Sequence, residues 1–236
     1  MKASSIVSVA ILAGGVGSRL GLPDIPKPMA PVNGRPFLSY LFDLLIDNDF
    51  REAVLCVGYK WRAIHEYFGS NYRGLDLFYS CEGEPLGTGG ALVFALSLFA
   101  LDKILILNGD SFCAVDFDLF VNRHVDEGVA VSILVAAVGD VSEFGKVFID
   151  GCSKVVKFEE KSGLRRPGFV NAGSYVIEKT LLYDLPPGVP ISIESELFPL
   201  WLERFAMRAH KVDSRFLDIG TPGGYAKAPE FLGGMT

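Results

Sequence analysis

Three short runs of the chain are apolar without alternation: residues 7–13 (VSVAILA), 53–58 (AVLCVG) and 103–107 (KILIL). Strands covered on both faces read this way, because neither side of the pleat meets water. Between them, FLSYLFDLLIDN sets Phe37, Leu38, Leu41, Leu44 and Leu45 on one helical face, and GGALVFALSLFA at 89–100 predicts a largely buried helix. Strand and helix in alternation predict an α/β, Rossmann-like, mostly parallel sheet with helices on both faces.

From about residue 128 the pattern becomes strand-rich, in VAVSILVAAV, KVFID, KVVKFEEK and FVNAGSYVIE. These segments predict an extension of the same sheet that makes it mixed. A helical stretch around 195–204, a short strand ending near Asp218 and the TPGGYAKA segment follow. Without a repeat or a Pro/Ser-rich linker, 1–236 is expected to be a single domain.

Composition narrows the chemistry. Half of the 236 residues are hydrophobic, enough for a sizeable core, and 28 acidic against 22 basic residues give a net charge of −6. That balance argues against a nucleic-acid partner, so any bound phosphate is expected to be met by a loop and a few placed cations. The four cysteines form no CxxC or Cys/His cluster, which fits reduced thiols in a cytoplasmic protein. The apolar N-terminus runs straight into a glycine turn, and no span approaches the roughly 20 apolar residues of a membrane helix. His65, His124 and His210 read as helix-surface or strand-edge residues without ligand spacing, and Tyr40 and Trp61 as packing residues.

The segment AILAGGVGSRLGLPDIPKPMAPVNGRP follows the first strand. Gly14, Gly15 and Gly17 allow close backbone approach to a ligand and can present N–H groups to phosphate oxygens. A dinucleotide-binding turn would need glycine where Leu20 stands, and a P-loop would need a closing Gly-Lys-Ser/Thr. What remains is a proline-stiffened loop with two cations, Arg19 and Lys27, the pairing needed where charge builds on a transferring phosphate and a departing pyrophosphate. Taken alone, both could equally be solvated loop charges.

A second segment, KILILNGDSF, ends an apolar strand in Asp110. Ligands of an open parallel sheet bind beyond the carboxyl ends of its strands, where an aspartate can hold a hard cation; a helix cap is the alternative. A third, CEGEPLGTGGAL, carries Gly87, Gly89 and Gly90 before a buried helix, with Glu82 and Glu84 readable as turn charges. A fourth comprises EFGKVFID, FEEK and FVNAGSYV, in which Glu159, Glu160 and Lys161 could also be a solvated strand end.

GGVGSRL followed by PKPM closely resembles the signature GGxGTRLxP…PKP of the sugar-phosphate nucleotidyltransferase family, with Ser18 for the usual threonine. The family's motifs occur in order from residue 10 to about 225. The resemblance implies the nucleotide-diphospho-sugar transferase fold, with a nucleotide-binding part at about 1–127 and a sugar-binding part at about 128–236. It implies that Leu12, Ala13, Gly14, Gly15, Gly17, Ser18, Glu82, Pro85, Gly87 and Thr88 bind the nucleotide. Gly145, Glu160, Lys161 and Asn171 are then expected to hold a sugar 1-phosphate, Asp110 and Asp218 a magnesium ion, and Arg19 and Lys27 to be catalytic.

Within the family, PKPMAPVNGRPFL, EPLGTGGAL, LNGDSF and FEEK are most similar to guanylyltransferases of D-glycero-α-D-manno-heptose 1-phosphate, with mannose 1-phosphate guanylyltransferases next and thymidylyl or uridylyl enzymes third. A carboxylate at Glu82 suits the adjacent N1–H and N2–H₂ donors of guanine, so GTP is the expected triphosphate. The implied chemistry is direct in-line attack with no nucleophilic side chain, supplying a precursor of lipopolysaccharide, capsule or S-layer glycan. A homo-oligomer is compatible with the sequence. A non-catalytic nucleotide-sugar sensor is the alternative from another class, but Arg19, Lys27, Asp110 and Asp218 are all present.

Overall fold

The computed structural model describes residues 1–15, 22, 24–159, 163, 165–212 and 216–234. In chain order the strands are β1 (Val7–Leu12), β2 (Pro31–Val32), β3 (Arg35–Pro36), β4 (Glu52–Val57), β5 (Asn71–Tyr72), β6 (Leu75–Cys81), β7 (Lys103–Asn108), β8 (Ser111–Cys113), β9 (Val131–Val138), β10 (Lys146–Ile149), β11 (Val155–Glu159), β12 (Gly168–Glu178), β13 (Met207–Val212) and β14 (Phe216–Asp218). The helices are α1 (Leu38–Asp47), α2 (Trp61–Phe68), α3 (Gly87–Phe94), α4 (Phe117–Glu127), α5 (Phe198–Arg204) and α6 (Pro222–Gly233).

The parallel part of the main sheet runs β7-β1-β4-β6. The chain steps outward from β1 to β4 and β6, then returns to lay β7 on the other side of β1. This reversal makes the carboxyl ends of β1 and β7 the switch point of the sheet, where open α/β folds bind ligands. β12 lies antiparallel to β7, and also pairs with β9 and, at Val170, with β10. The expected mixed, mostly parallel α/β sheet is thus present, with β12 joining its two halves.

The unalternating strands are explained by two cores, one on each face. Val9 and Ile11 of β1, Leu55 and Val57 of β4, and Leu105 and Leu107 of β7 face one core; Ala10, Val54, Cys56, Ile104 and Ile106 face the other. Burial of each such side chain contributes on the order of 1.5–3 kcal/mol, so a polar substitution at Ile11 or Ile106 would break the sheet where it carries the site.

Two expectations are corrected. The segment 89–100 is not one buried helix: α3 ends at Phe94, a short 3₁₀ turn follows at Leu96–Leu98, and Phe94 and Leu98 are exposed. An all-apolar segment carries no periodic signal for which face is covered. His124 and His210 are not surface residues either. Both are buried, His124 completely, with Nδ1 2.9 Å from Ser132 Oγ beneath α4. Among the described residues no helix is long and apolar enough to cross a membrane.

Candidate active site

Two adjoining cavities open at the switch point. The larger, about 590 Å³, is lined by Leu12, Gly14 and Gly15 at the end of β1, by Glu82 and Pro85 after β6, by Gly87 and Thr88 at the start of α3, and by Asn108 at the end of β7 and Asp110 just beyond it. The smaller, about 280 Å³, lies between β10, β11, β12 and the start of α5. Asn108, Asp110 and Glu194 line both, so molecules filling the two would meet at Asp110. Ala13 lies off the lining, with its side chain in the core and its N–H donated to the Cys56 carbonyl.

Glu82 reaches the larger cavity from the end of β6. Its Oε2 accepts the Leu86 N–H at 3.2 Å, while Cβ atoms built on Gly58 and Gly14 would stand 2.7 and 2.9 Å from its Oε1. The carboxylate therefore rests against two glycine backbones that have no room for a side chain. Burial pushes its pKa up, and the Leu86 N–H partly offsets this. The buried Cys56 thiol is pushed up to about 12 by burial first and Glu82 second, which leaves it an inert part of the wall.

The glycines after Glu82 serve the scaffold as well as the cavity. Gly87 has φ +70, and a Cβ there would lie 2.6 Å from the Ile191 carbonyl oxygen. The N–H groups of Gly89 and Gly90 donate to that same carbonyl at 2.8 and 3.2 Å. These two donors are thus committed to the 189–191 segment.

Asp110 and Asp218 come together through β8 and β14. Ser111 pairs with Asp218 across the antiparallel ladder, and the Ile219 N–H donates to the Asp110 carbonyl at 2.9 Å. Lys27 is brought opposite by a 3₁₀ turn, Lys27–Met29, started by Pro26 and anchored by buried Pro28. Its ammonium forms an ion pair with Asp110. A Cβ on Gly220 would meet Lys27 Nζ at 2.5 Å and Asp218 Oδ1 at 2.7 Å, so the ammonium sits beside both carboxylates. The pair therefore holds a positive charge in the protein alone.

That donor set, two carboxylates and a neighbouring hydroxyl on Ser111, suits a hard divalent cation that takes its remaining ligands from phosphate and water. No group of three or more His, Cys, Asp or Glu residues fit to enclose a metal occurs among the described residues. A site of this kind would be completed by its substrate.

Gly145 and Asn171 line the smaller cavity. Gly17, Ser18, Arg19, Glu160 and Lys161 lie outside the described residues. The sequence reading missed four polar residues here. Lys146 lines the smaller cavity, is only 4% exposed and stands opposite Glu159 in the β10-β11 pairing. Glu194 sits in a single π-helical turn after Ser192, a feature common at functional sites. Tyr175 and Asn108 connect to it by hydrogen bonds. The only signal for Lys146 was a lysine beside Gly145 in a strand, and Glu194 reads as an ordinary first-turn acid.

The family model for nucleotidyl transferase matches residues 8–233. A D-glycero-alpha-D-manno-heptose 1-phosphate guanylyltransferase of Campylobacter jejuni is 36% identical over 91% of this chain and 95% of its own. The protein of the same description from Aneurinibacillus thermoaerophilus is 34% identical, over 94% and 96%. Among solved structures, HddC from Yersinia pseudotuberculosis complexed with GMP-PN superposes with a TM-score of 0.86 at 33% identity, covering 95% of this chain and 99% of that one.

Proposed function

As the chain belongs to the nucleotidyl transferase family, we propose that it transfers the nucleoside monophosphate of GTP to D-glycero-α-D-manno-heptose 1-phosphate, giving a nucleotide-activated heptose and pyrophosphate. The observation that carries this reading is the pair of cavities meeting at Asp110, with Lys27 and Asp218 beside it. The heptose 1-phosphate guanylyltransferases it resembles over nearly their whole length support the choice of sugar and base.

In this reading 1–127 supplies most of the nucleotide site and 128–236 the sugar site, within one catalytic domain of the cytoplasm. The base lies against Glu82, whose carboxylate accepts from guanine N1–H and N2–H₂. Gly14 and Gly15, with Gly17 and Ser18 of the same loop, bring backbone close to the triphosphate. Lys146 and Asn171 hold sugar hydroxyls from β10 and β12, together with Gly145 and Glu160, and Lys161 binds the sugar phosphate.

Asp110 and Asp218 would hold magnesium, which when bound supplies charge neutralisation to the reacting phosphates. Lys27 gives up its ion pair with Asp110 to face the transferring phosphate and, with Arg19, offsets the charge that grows on the leaving pyrophosphate. The sugar phosphate oxygen attacks the α-phosphorus in line, the bond to the β-phosphate oxygen breaks, and pyrophosphate leaves. The wall at Asp110 aligns these two atoms, and such positioning alone can lower a barrier by about 7–11 kcal/mol.

The test is pyrophosphate release in magnesium from GTP, UTP, dTTP, ATP and CTP, each with hexose and heptose 1-phosphates. Release confined to GTP with the heptose phosphate supports the reading in full. Release with another pair overturns the roles given to Glu82 or to the sugar cavity, and silence across the panel overturns catalysis.

A further inference from the structure

Glu194 lines both cavities, and its two carboxylate oxygens are spent in opposite directions. Oε2 accepts the Thr88 hydroxyl at 2.9 Å, and that hydroxyl in turn accepts the Ile193 N–H at 2.8 Å. Oε1 accepts the hydroxyl of fully buried Tyr175 at 3.3 Å. A phenol has one proton, so Tyr175, having donated to Glu194, can only accept from its other neighbours. These are the side-chain amides of Asn171, at 2.5 Å, and Asn108, at 3.3 Å. The side-chain oxygen Oδ1 of Asn171 then accepts the Gly173 N–H at 2.8 Å, inside the slip where β12 changes register against β9.

The direction of every bond in this chain is therefore fixed from Glu194 outward. It links Thr88, at the start of α3 in the nucleotide cavity, to Asn171 in the sugar cavity, and it passes Asn108 in the wall between them. Tyr175 is held by packing as well, edge-on to Phe198 at 5.0 Å between centroids. The links from Thr88 through Glu194 and Tyr175 to Asn171 are all made, and a buried polar chain of this kind resists displacement, because moving one member leaves another unsatisfied.

We infer that Glu194 is a positioning residue that couples the two substrate sites, so that occupation of the sugar cavity tightens binding in the nucleotide cavity and the reverse. A sugar phosphate contacting Asn171 steadies Tyr175 and Glu194, which steady Thr88 beside the nucleotide. This rests on the guanylyltransferase reading. The isosteric change Glu194→Gln isolates the effect: both carboxylate oxygens accept hydroxyl protons, whereas an amide can accept with only one side.

The experiment is calorimetric titration of α,β-methylene GTP with magnesium, with and without saturating heptose 1-phosphate, on the wild type, Glu194→Gln, Tyr175→Phe and Thr88→Val. The wild type is expected to bind the nucleotide about five- to a hundredfold tighter with the sugar phosphate present. Glu194→Gln and Tyr175→Phe are expected to lose that enhancement while still binding each ligand alone, and Thr88→Val, which lines the nucleotide cavity, to lose it whatever its affinity for the nucleotide alone. The two single-link variants decide the matter if Glu194→Gln does not fold. A wild type that binds both ligands without synergy, or folded variants that keep it, overturns the coupling alone. A wild type that does not bind the nucleotide overturns the guanylyl reading and the coupling together.

Discussion

Ser111 and Asp218 face each other across the short antiparallel ladder of β8 and β14, and this pairing sets a carboxylate from the end of the chain beside Asp110. The site is therefore closed by a contact between distant segments. Its precision depends on the β14 backbone as much as on the acidic side chains.

Gly220 follows from that dependence. A methyl group there would meet Lys27 Nζ and Asp218 Oδ1, and its N–H already donates to Asp218 Oδ1 at 2.5 Å. Gly220→Ala is expected to lower kcat about tenfold or more by moving both groups off line, with little change in melting temperature. Steady-state kinetics beside a thermal melt checks this; unchanged kcat would mean that the crowding is relieved harmlessly.

With the base against Glu82 as proposed, base recognition is expected to be pH-dependent. Burial holds its pKa above the ordinary carboxylate range, and guanine requires the ionised form, so GTP affinity should rise with pH as the proton leaves. Glu82→Gln should bind GTP about ten- to a hundredfold more weakly and remove this pH dependence. Nucleotide titrations across the mildly acidic range give both results.

Lys146 is expected to act on one substrate only. Lys146→Met should raise KM for the sugar 1-phosphate about tenfold, through loss of a charge-assisted hydrogen bond, and leave KM for GTP unchanged. Equal effects on both KM values would assign the lysine to structure.

His124 governs acid stability away from the site. Burial first, then the charges of Lys103 and His210, lowers its pKa from 6.5 to about 4, and its Nε2 has no hydrogen-bond partner. Glu178, 3.6 Å from that nitrogen, is itself paired with Lys103 at 3.1 Å. Because the unfolded chain protonates first, the neutral histidine contributes its full stability above pH 6.5. That contribution, up to about 3 kcal/mol, is lost as pH falls toward 4. Denaturant melts over this window should show a shallower acid slope in His124→Gln than in the wild type.

The strands of the parallel half were legible because burial on both faces leaves a mark in local sequence, and the place of Asp110 was legible because it lies just beyond such a strand. Asp218 came only through family resemblance, since nothing local indicates that β14 returns to pair with β8. Lys146, Glu194 and His124 were missed for the same physical reason: their surroundings are assembled from elements far apart in the chain. A buried lysine or histidine looks in sequence like an exposed one.

The central claim is that Asp110 stands where the two substrates meet. Turnover of GTP with heptose 1-phosphate by Asp110→Asn, at saturating concentrations of both, tests it most directly. The account predicts a loss of about a hundredfold or more in kcat, with pyrophosphate and nucleotide-sugar formed in equal amounts by whatever activity remains. Turnover close to the wild type would contradict it, since the shared wall of the two cavities would then play no part in the reaction.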